Sequence, residues 1–276
     1  YDMVIGSVHN FQNEQDFMYL DYSQWDITDL MNKYFDELIK LSPEELHIKA
    51  GVGTLSEKYL HALLKRYFEP DTDYHEVGID RFTADICRDM QIIEIQTRAL
   101  GRLREKLEYY LLEGYKVRVV YPIPHIKWLS WIDPETGETS PKHRSPKTGS
   151  FYDCFWELYN IKYFLDWDNL SVELMLIDVV DYKNLNGYGK RRKIRATRQE
   201  RYPIALYDTL ILDSPRDYIK LVPEALPEIF TKEEYAKATK LSAEMAYSGL
   251  NILQYLEVVE LIGKEGRKKI YRRCQK

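Results

Sequence analysis

The sequence predicts an α/β fold, and three observations carry that prediction. Apolar residues recur at helical spacing in some stretches and as short β-branched or alternating runs in others, and the two textures interleave between residues 26 and 123. Hydrophobic residues make up 45% of the 276, enough to bury a sizeable core, so global disorder is disfavoured. No apolar run approaches the roughly 18 residues needed to cross a bilayer as a helix.

Taken in order, "DITDLMNKYFDELIKL" at 26–41 sets Ile27, Leu30, Met31, Tyr34, Leu38 and Leu41 on one helical face, with Asp26 as the N-cap. A connector, "SPEELHIKAGVGT", breaks at Gly51 and Gly53, and a second helix over about 55–68 ends before Pro70. Three strand-like runs follow, "DYHEVGI", "RFTADICR" and "MQIIEIQT", separated by turn-prone residues as in an antiparallel meander. The charged stretch "RALGRLREKLEYYLLEGY" reads as a helix leading into "KVRVVYPIP", a strand closed by its prolines.

Residues 133–150 are rich in Gly, Pro, Ser and Thr and read as an exposed loop, and "FYDCFWELYNIKYFL" reads as an aromatic helix. "SVELMLIDVVDYK" and "YPIALYDTLILDS" read as a hairpin that extends the sheet on either side of a basic segment. From about 216 the texture changes. Thr231 with Glu234 makes a capping box, Ser242 precedes a second helix, and "VVELIGKEGRKKIYRR" alternates into a hairpin turned at "GKEG". The expected division is a helical extension (1–50), an α/β domain (51–215) and a C-terminal domain (216–276).

Net charge is −5, yet the basic residues are not spread evenly. Segment 183–201 holds eight Lys/Arg against one Glu, among them Arg191, Arg192, Lys193 and Arg195, and the C-terminal tail is similarly basic. An acidic body with two basic segments can still bind a polyanion, although solvated loops without a partner carry the same pattern. Three widely spaced cysteines, Cys87, Cys154 and Cys274, argue against a disulfide framework or zinc ribbon. With no signal peptide at the start, a reducing cytoplasmic setting is the expectation.

One strand carries a chemical puzzle. Glu94 lies among Ile92, Ile93 and Ile95, and a buried carboxylate needs compensation. Alternation puts Ile92, Glu94 and Gln96 on one face, and Thr83, Asp85 and Cys87 on one face of the preceding strand. A short turn between the two strands brings Asp85 beside Glu94, and a hard divalent cation relieves the repulsion of the pair. A structural ion pair of Glu94 with Arg81 or Arg98 is the plainer alternative, and Glu57 could simply close a capping box on Thr54.

A helix with a Glu, a strand Asp, then Glu-x-Lys on the next strand, followed by helix and strand, resembles the PD-(D/E)xK nucleases. These are the restriction-endonuclease-like and Holliday-junction-resolvase-like enzymes. The resemblance implies an αβββαβ core with extra strands and a metal-dependent DNA endonuclease. It implies catalytic positions at Glu57, Asp85, Glu94 and Gln96, with Asp85 and Glu94 binding Mg²⁺ or Mn²⁺. Gln96 stands where the family has Lys, and a cation from the following helix, where Arg98, Arg102 and Lys106 are spaced, could replace it. The C-terminal helix, turn, helix and basic hairpin resemble a winged helix-turn-helix. This implies DNA contacts from Asn251 and Gln254 on the second helix and from Lys264, Arg267, Lys268 and Lys269 on the wing, besides Arg191, Arg192, Lys193 and Arg195. The implied partner is double-stranded or branched DNA, with RNA and a homodimer left open. A non-catalytic DNA-binding or regulatory protein on a retired nuclease fold is the alternative that Gln96 favours.

Overall fold

The computed structural model describes residues 27–46, 58–186, 196–266 and 268–274, and is mixed α/β. Helices α1 (Ile27–Leu38) and α2 (Tyr59–Phe68) precede strands β1 (His75–Ile79), β2 (Phe82–Arg88) and β3 (Gln91–Ile95). Then come α3 (Arg104–Leu112), β4 (Lys116–Ile132), the two-residue β5 (His143–Arg144), a one-turn α4 (Phe155–Leu158) flanked by 3₁₀ turns, and the long strands β6 (Leu170–Asn184) and β7 (Thr197–Leu212). The seven strands form one sheet in the order β1-β2-β3-β4-β6-β7, with β5 paired to β4. β2 and β3 run antiparallel, while β3 and β4 run parallel with α3 as the connection between them.

The β2–β3 turn is the tightest available. Arg88 pairs with Gln91, so only Asp89 and Met90 lie between the strands, and both adopt positive φ (47° and 62°). Two successive left-handed residues match the twist of a hairpin, although Asn-Gly is the usual solution. β4 differs from the expectation of a strand closed by its prolines, because it runs on through Pro122 and Pro124. The Gln96 amide donates to the Val120 carbonyl, so the main chain of Val120 faces β3. Strand alternation aims positions 122 and 124 the same way, past the end of β3, where no amide donor is required.

Segment 133–150 is exposed but anchored. Ser130 and Trp131 bond with Ser140, His143 stacks on Trp131 at 4.2 Å, and β5 pairs with β4. The expected aromatic helix is broken: 3₁₀ turns at Phe151–Cys154 and Tyr159–Phe164 flank α4, with a non-helical Ile161 inside.

After a 3₁₀ turn at Pro215–Leu221 come β8 (Ile229–Thr231), α5 (Lys232–Thr239), α6 (Ala243–Tyr255), β9 (Val259–Glu265) and β10 (Lys268–Arg273). The three strands form a second sheet in the order β8-β10-β9. The Thr231–Glu234 capping box and the Ser242 cap both form as expected. Phe230, Tyr235 and Tyr271 fill the core of this module as a stack, with Phe230 6.0 Å from Tyr235 and 6.2 Å from Tyr271. Strand β8 was not expected, since three residues are too few to show alternation.

By contacts the chain divides into two units. Among the described residues, one comprises 27–46, 58–77, 124–148, 177–186 and 196–207, and the other 78–123, 149–176, 208–266 and 268–274. Both interleave along the sequence, whereas the expected segments 1–50, 51–215 and 216–276 are continuous. In the first unit, Phe35 packs edge-on against Tyr67 at 5.5 Å to join α1 to α2, and Arg201 makes a two-pronged pair with the buried Asp181. The second unit holds β2, β3, α3 and the C-terminal module.

Candidate active site

Glu94 is 2% exposed, and Lys106 supplies its compensation. The Lys106 Nζ donates to both Glu94 carboxylate oxygens at 3.1 Å and to the Thr83 carbonyl at 2.6 Å, so all three ammonium protons have acceptors. The sequence predicts a divalent cation in this role, with an ion pair to Arg81 or Arg98 as the alternative. In the structure the ammonium occupies that role, because α3 returns across β2 and β3 at the right height.

That return is built by local contacts. Ala99 adopts the left-handed region (φ 57°), a 3₁₀ turn covers Leu100–Leu103, and the Glu157 carboxylate accepts the Leu100 amide at 2.8 Å. α3 then buries Leu107, Tyr110 and Leu111, which leaves Lys106 over the strands. Lys106, the last of the cations spaced along this segment, bonds Glu94, while Arg104 donates to the Asn160 carbonyl.

Asp85 faces the same way. Ile86 pairs with Ile93, so the next step of the antiparallel register sets Asp85 opposite Glu94. The Asp85 carboxylate accepts the Ile95 amide at 2.7 Å, continuing the ladder with a side chain. Tyr110, on α3 one turn beyond Lys106, senses both acids: burial pushes its phenol well up, and the charges of Glu94 and then Asp85 push it further. Its hydroxyl is buried and has no hydrogen-bond partner among the described residues. Tyr110 was not singled out from the sequence, although its place one helical turn after Lys106 puts it on the same face.

Gln96 continues the strand, and its side-chain amide reaches the Ala99 carbonyl at 3.4 Å. It braces the turn into α3. Glu57 lies outside the described residues, as do Arg191, Arg192, Lys193, Arg195 and Arg267. Among the described residues no group of three or more His, Cys, Asp and Glu gathers as a metal cluster. Two carboxylates on one face, with an orphaned phenol turned to them, still fit a hydrated hard cation, because water on that cation would satisfy the phenol.

The C-terminal module presents a mixed surface. Along α6, Glu244, Tyr247, Asn251 and Gln254 share the outer face, while Ser248 is buried and bonds back to the Glu244 carbonyl. Asn251 accepts from Lys162 at 3.0 Å, so it is already held, and Gln254 is exposed. On the inner face, Gly249 lies against the buried ring of Phe155. Lys264 and Lys268 project from the β9–β10 hairpin into solvent, and the ammonium of Lys269 lies 5.0 Å above the Tyr247 ring.

Comparison with known proteins adds a family and a relative. The family described as a domain of unknown function (DUF8091) matches residues 58–213. An uncharacterized protein of Treponema pallidum (strain Nichols) is 29% identical over 225 residues, which is 80% of this chain and 87% of that protein. No solved structure matches. No helix among the described residues is long and apolar enough to cross a membrane.

Proposed function

The chain belongs to the DUF8091 family, and we propose that it is a metal-dependent DNA endonuclease on a PD-(D/E)xK core. The observation that carries this reading is the Lys106 ammonium on Glu94, with Asp85 opposite. The order α2, β1, β2, β3, α3, β4, with an antiparallel β2–β3 and a parallel β3–β4 pair, supports the same core. Lys106 provides from the helix the positive charge that Gln96 cannot provide from the strand.

In this reading Asp85 and Glu94 hold Mg²⁺ or Mn²⁺. A cation held there would supply Lewis acidity and lower the pKa of a water bound to it. Lys106 offsets the burial of Glu94 with a paired opposite charge and places that positive charge where negative charge grows on a scissile phosphate. Tyr110 remains a phenol, since burial and both acids oppose its ionisation, and its hydroxyl stays available as a donor. Gln96 holds the turn that sets the phase of α3.

DNA would be engaged by the C-terminal module, whose order β8, α5, α6, β9, β10 supports a winged helix-turn-helix. Lys264, Lys268 and Lys269 would meet phosphates, with Gln254 and Asn251 nearer the bases. Arg267 and the 191–195 cations would add charge by sequence alone.

The closed state of the pair favours a second reading. Glu94 is nearly inaccessible and both of its oxygens are taken, as in a structural ion pair of a non-catalytic DNA-binding protein. Cleavage of plasmid and branched oligonucleotides with Mg²⁺ and Mn²⁺ separates the two. The endonuclease requires metal-dependent cutting that falls at least about a hundredfold in Asp85→Ala and in Lys106→Ala. Shifted but uncut DNA with the wild type decides for the binding protein.

A further inference from the structure

Trp156 and Tyr247 are large rings that the fold leaves open, at 58% and 46% exposure. They come from different elements, α4 and α6, yet both line one cleft of about 450 Å³ with Lys232, Glu244 and Ser248. Core packing does not explain either ring, and leaving both in water forgoes the burial that large aromatic surfaces usually gain. We propose that this cleft is a stacking slot for an unpaired nucleobase, so that the protein binds single-stranded nucleic acid there.

The chemistry of the walls selects this occupant. Two flat faces accept any base by stacking, independent of sequence. Lys232 lines the cleft and the Lys269 ammonium sits above Tyr247, beside the carboxylates of Glu244 and of Glu233, which stands 3.8 Å from the Lys232 ammonium. A cage for a methylated ammonium keeps its ring faces for the ligand, whereas here the Lys269 ammonium already stands over Tyr247. A nucleotide satisfies all of it: base between the rings, phosphate toward the lysines, and a base amino group toward Glu244.

The surroundings extend the slot. Trp156, Tyr159 and Tyr163 are exposed at intervals of three and four residues along one segment. Lys162 lies between them, above the rings of Tyr159 and Tyr163, and bonds Asn251 on α6. Aromatic faces interleaved with ammonium groups are the usual means of tracking a single strand. The inference rests on the nucleic-acid reading above and names the form it would recognise: an unpaired stretch beside the cut, as branched DNA provides.

The test uses the full chain in chelator, so that binding is read without cleavage. Fluorescence anisotropy with a labelled ten-nucleotide oligothymidylate measures wild type, Trp156→Ala, Tyr247→Ala and Trp156→Phe. The expected result is affinity for the single strand that weakens about tenfold in each Ala variant and is retained in Trp156→Phe. Both Ala substitutions remove exposed rings, so melting curves should coincide with wild type and exclude unfolding. Wild-type affinity for the single strand in both Ala variants overturns the slot alone and leaves the endonuclease intact. No binding of any single- or double-stranded DNA by wild type overturns both. Saturable binding of a trimethyl-lysine peptide that competes with the oligonucleotide for Trp156 reassigns the cleft to an ammonium cage.

Discussion

The ammonium of Lys106 stands 3.1 Å from each carboxylate oxygen of Glu94, and the two residues differ in their access to solvent: the acid is inaccessible and the lysine end is partly open. Removing the lysine therefore leaves a buried charge that water cannot reach. Lys106→Ala should lower stability by about 3 kcal/mol, the usual cost of breaking a buried pair. Lys106→Met with Glu94→Gln should recover most of that loss. Urea unfolding of the single and double variants measures the coupling, and additive losses would show that the pair contributes nothing.

Gly249 should not tolerate even a methyl group. A Cβ there would sit 2.8 Å from the Phe155 ring, which is fully buried and cannot swing away. Alanine gains about 1 kcal/mol of helix propensity over glycine, while overpacking costs about 1–3 kcal/mol. The clash wins, so Gly249→Ala should lower Tm, and Phe155→Leu in the same chain should reverse the sign. An increase in Tm for the single variant would contradict the packing of α6 on α4.

Alkaline pH should unfold this protein ahead of what its carboxylates alone would allow. Burial pushes Tyr34 up to about 12 from an ordinary value of 10.0, with Arg66 pulling the other way and Glu69 adding to the rise, and burial also raises Tyr110, Tyr218 and Tyr235. Below pH 10 both states hold these protons. Above it the unfolded chain releases them while the folded chain retains them, so stability falls with pH. Denaturation midpoints at pH 9, 10 and 11 should decline in that order. Tyr34→Phe should flatten the decline, though it also loses the bond to the Arg66 carbonyl.

The hairpin lysines should act on DNA through charge alone. Lys264 and Lys268 are exposed on β9 and β10, where replacement disturbs no packing. If each neutralises one phosphate, Lys264→Ala with Lys268→Ala should flatten the log–log salt dependence of duplex binding by about two units. Titrations at four salt concentrations give the slope, and an unchanged value would remove the hairpin from the interface.

Strand alternation together with a short turn makes the facing of Asp85 and Glu94 legible, because a period of two assigns faces without knowledge of tertiary contacts. The Thr231 and Ser242 caps were legible for a similar reason, being local. Which cation reaches Glu94 was not. Uniform helical spacing from Arg98 treats three cations alike, whereas the left-handed Ala99 and the 3₁₀ turn at Leu100–Leu103 reset the phase and bring in Lys106. The course of β4 through Pro122 and Pro124 was equally hidden, since it depends on where the neighbouring strand stops. The folding of 133–150 onto β4 depends on pairings that composition does not encode.

The two-residue turn at Asp89–Met90 has a consequence for descent. Nine positions separate Asp85 from Glu94, and the turn holds the count. One residue inserted or lost there would slide the strands by a single step and send one acid to the opposite face of the sheet. Lengthening the exposed 133–150 segment has no such effect on this pair. Among relatives that keep the Asp85–Glu94 pair, gaps should accumulate in that segment and be purged from the turn, even where Asp89 and Met90 themselves are replaced.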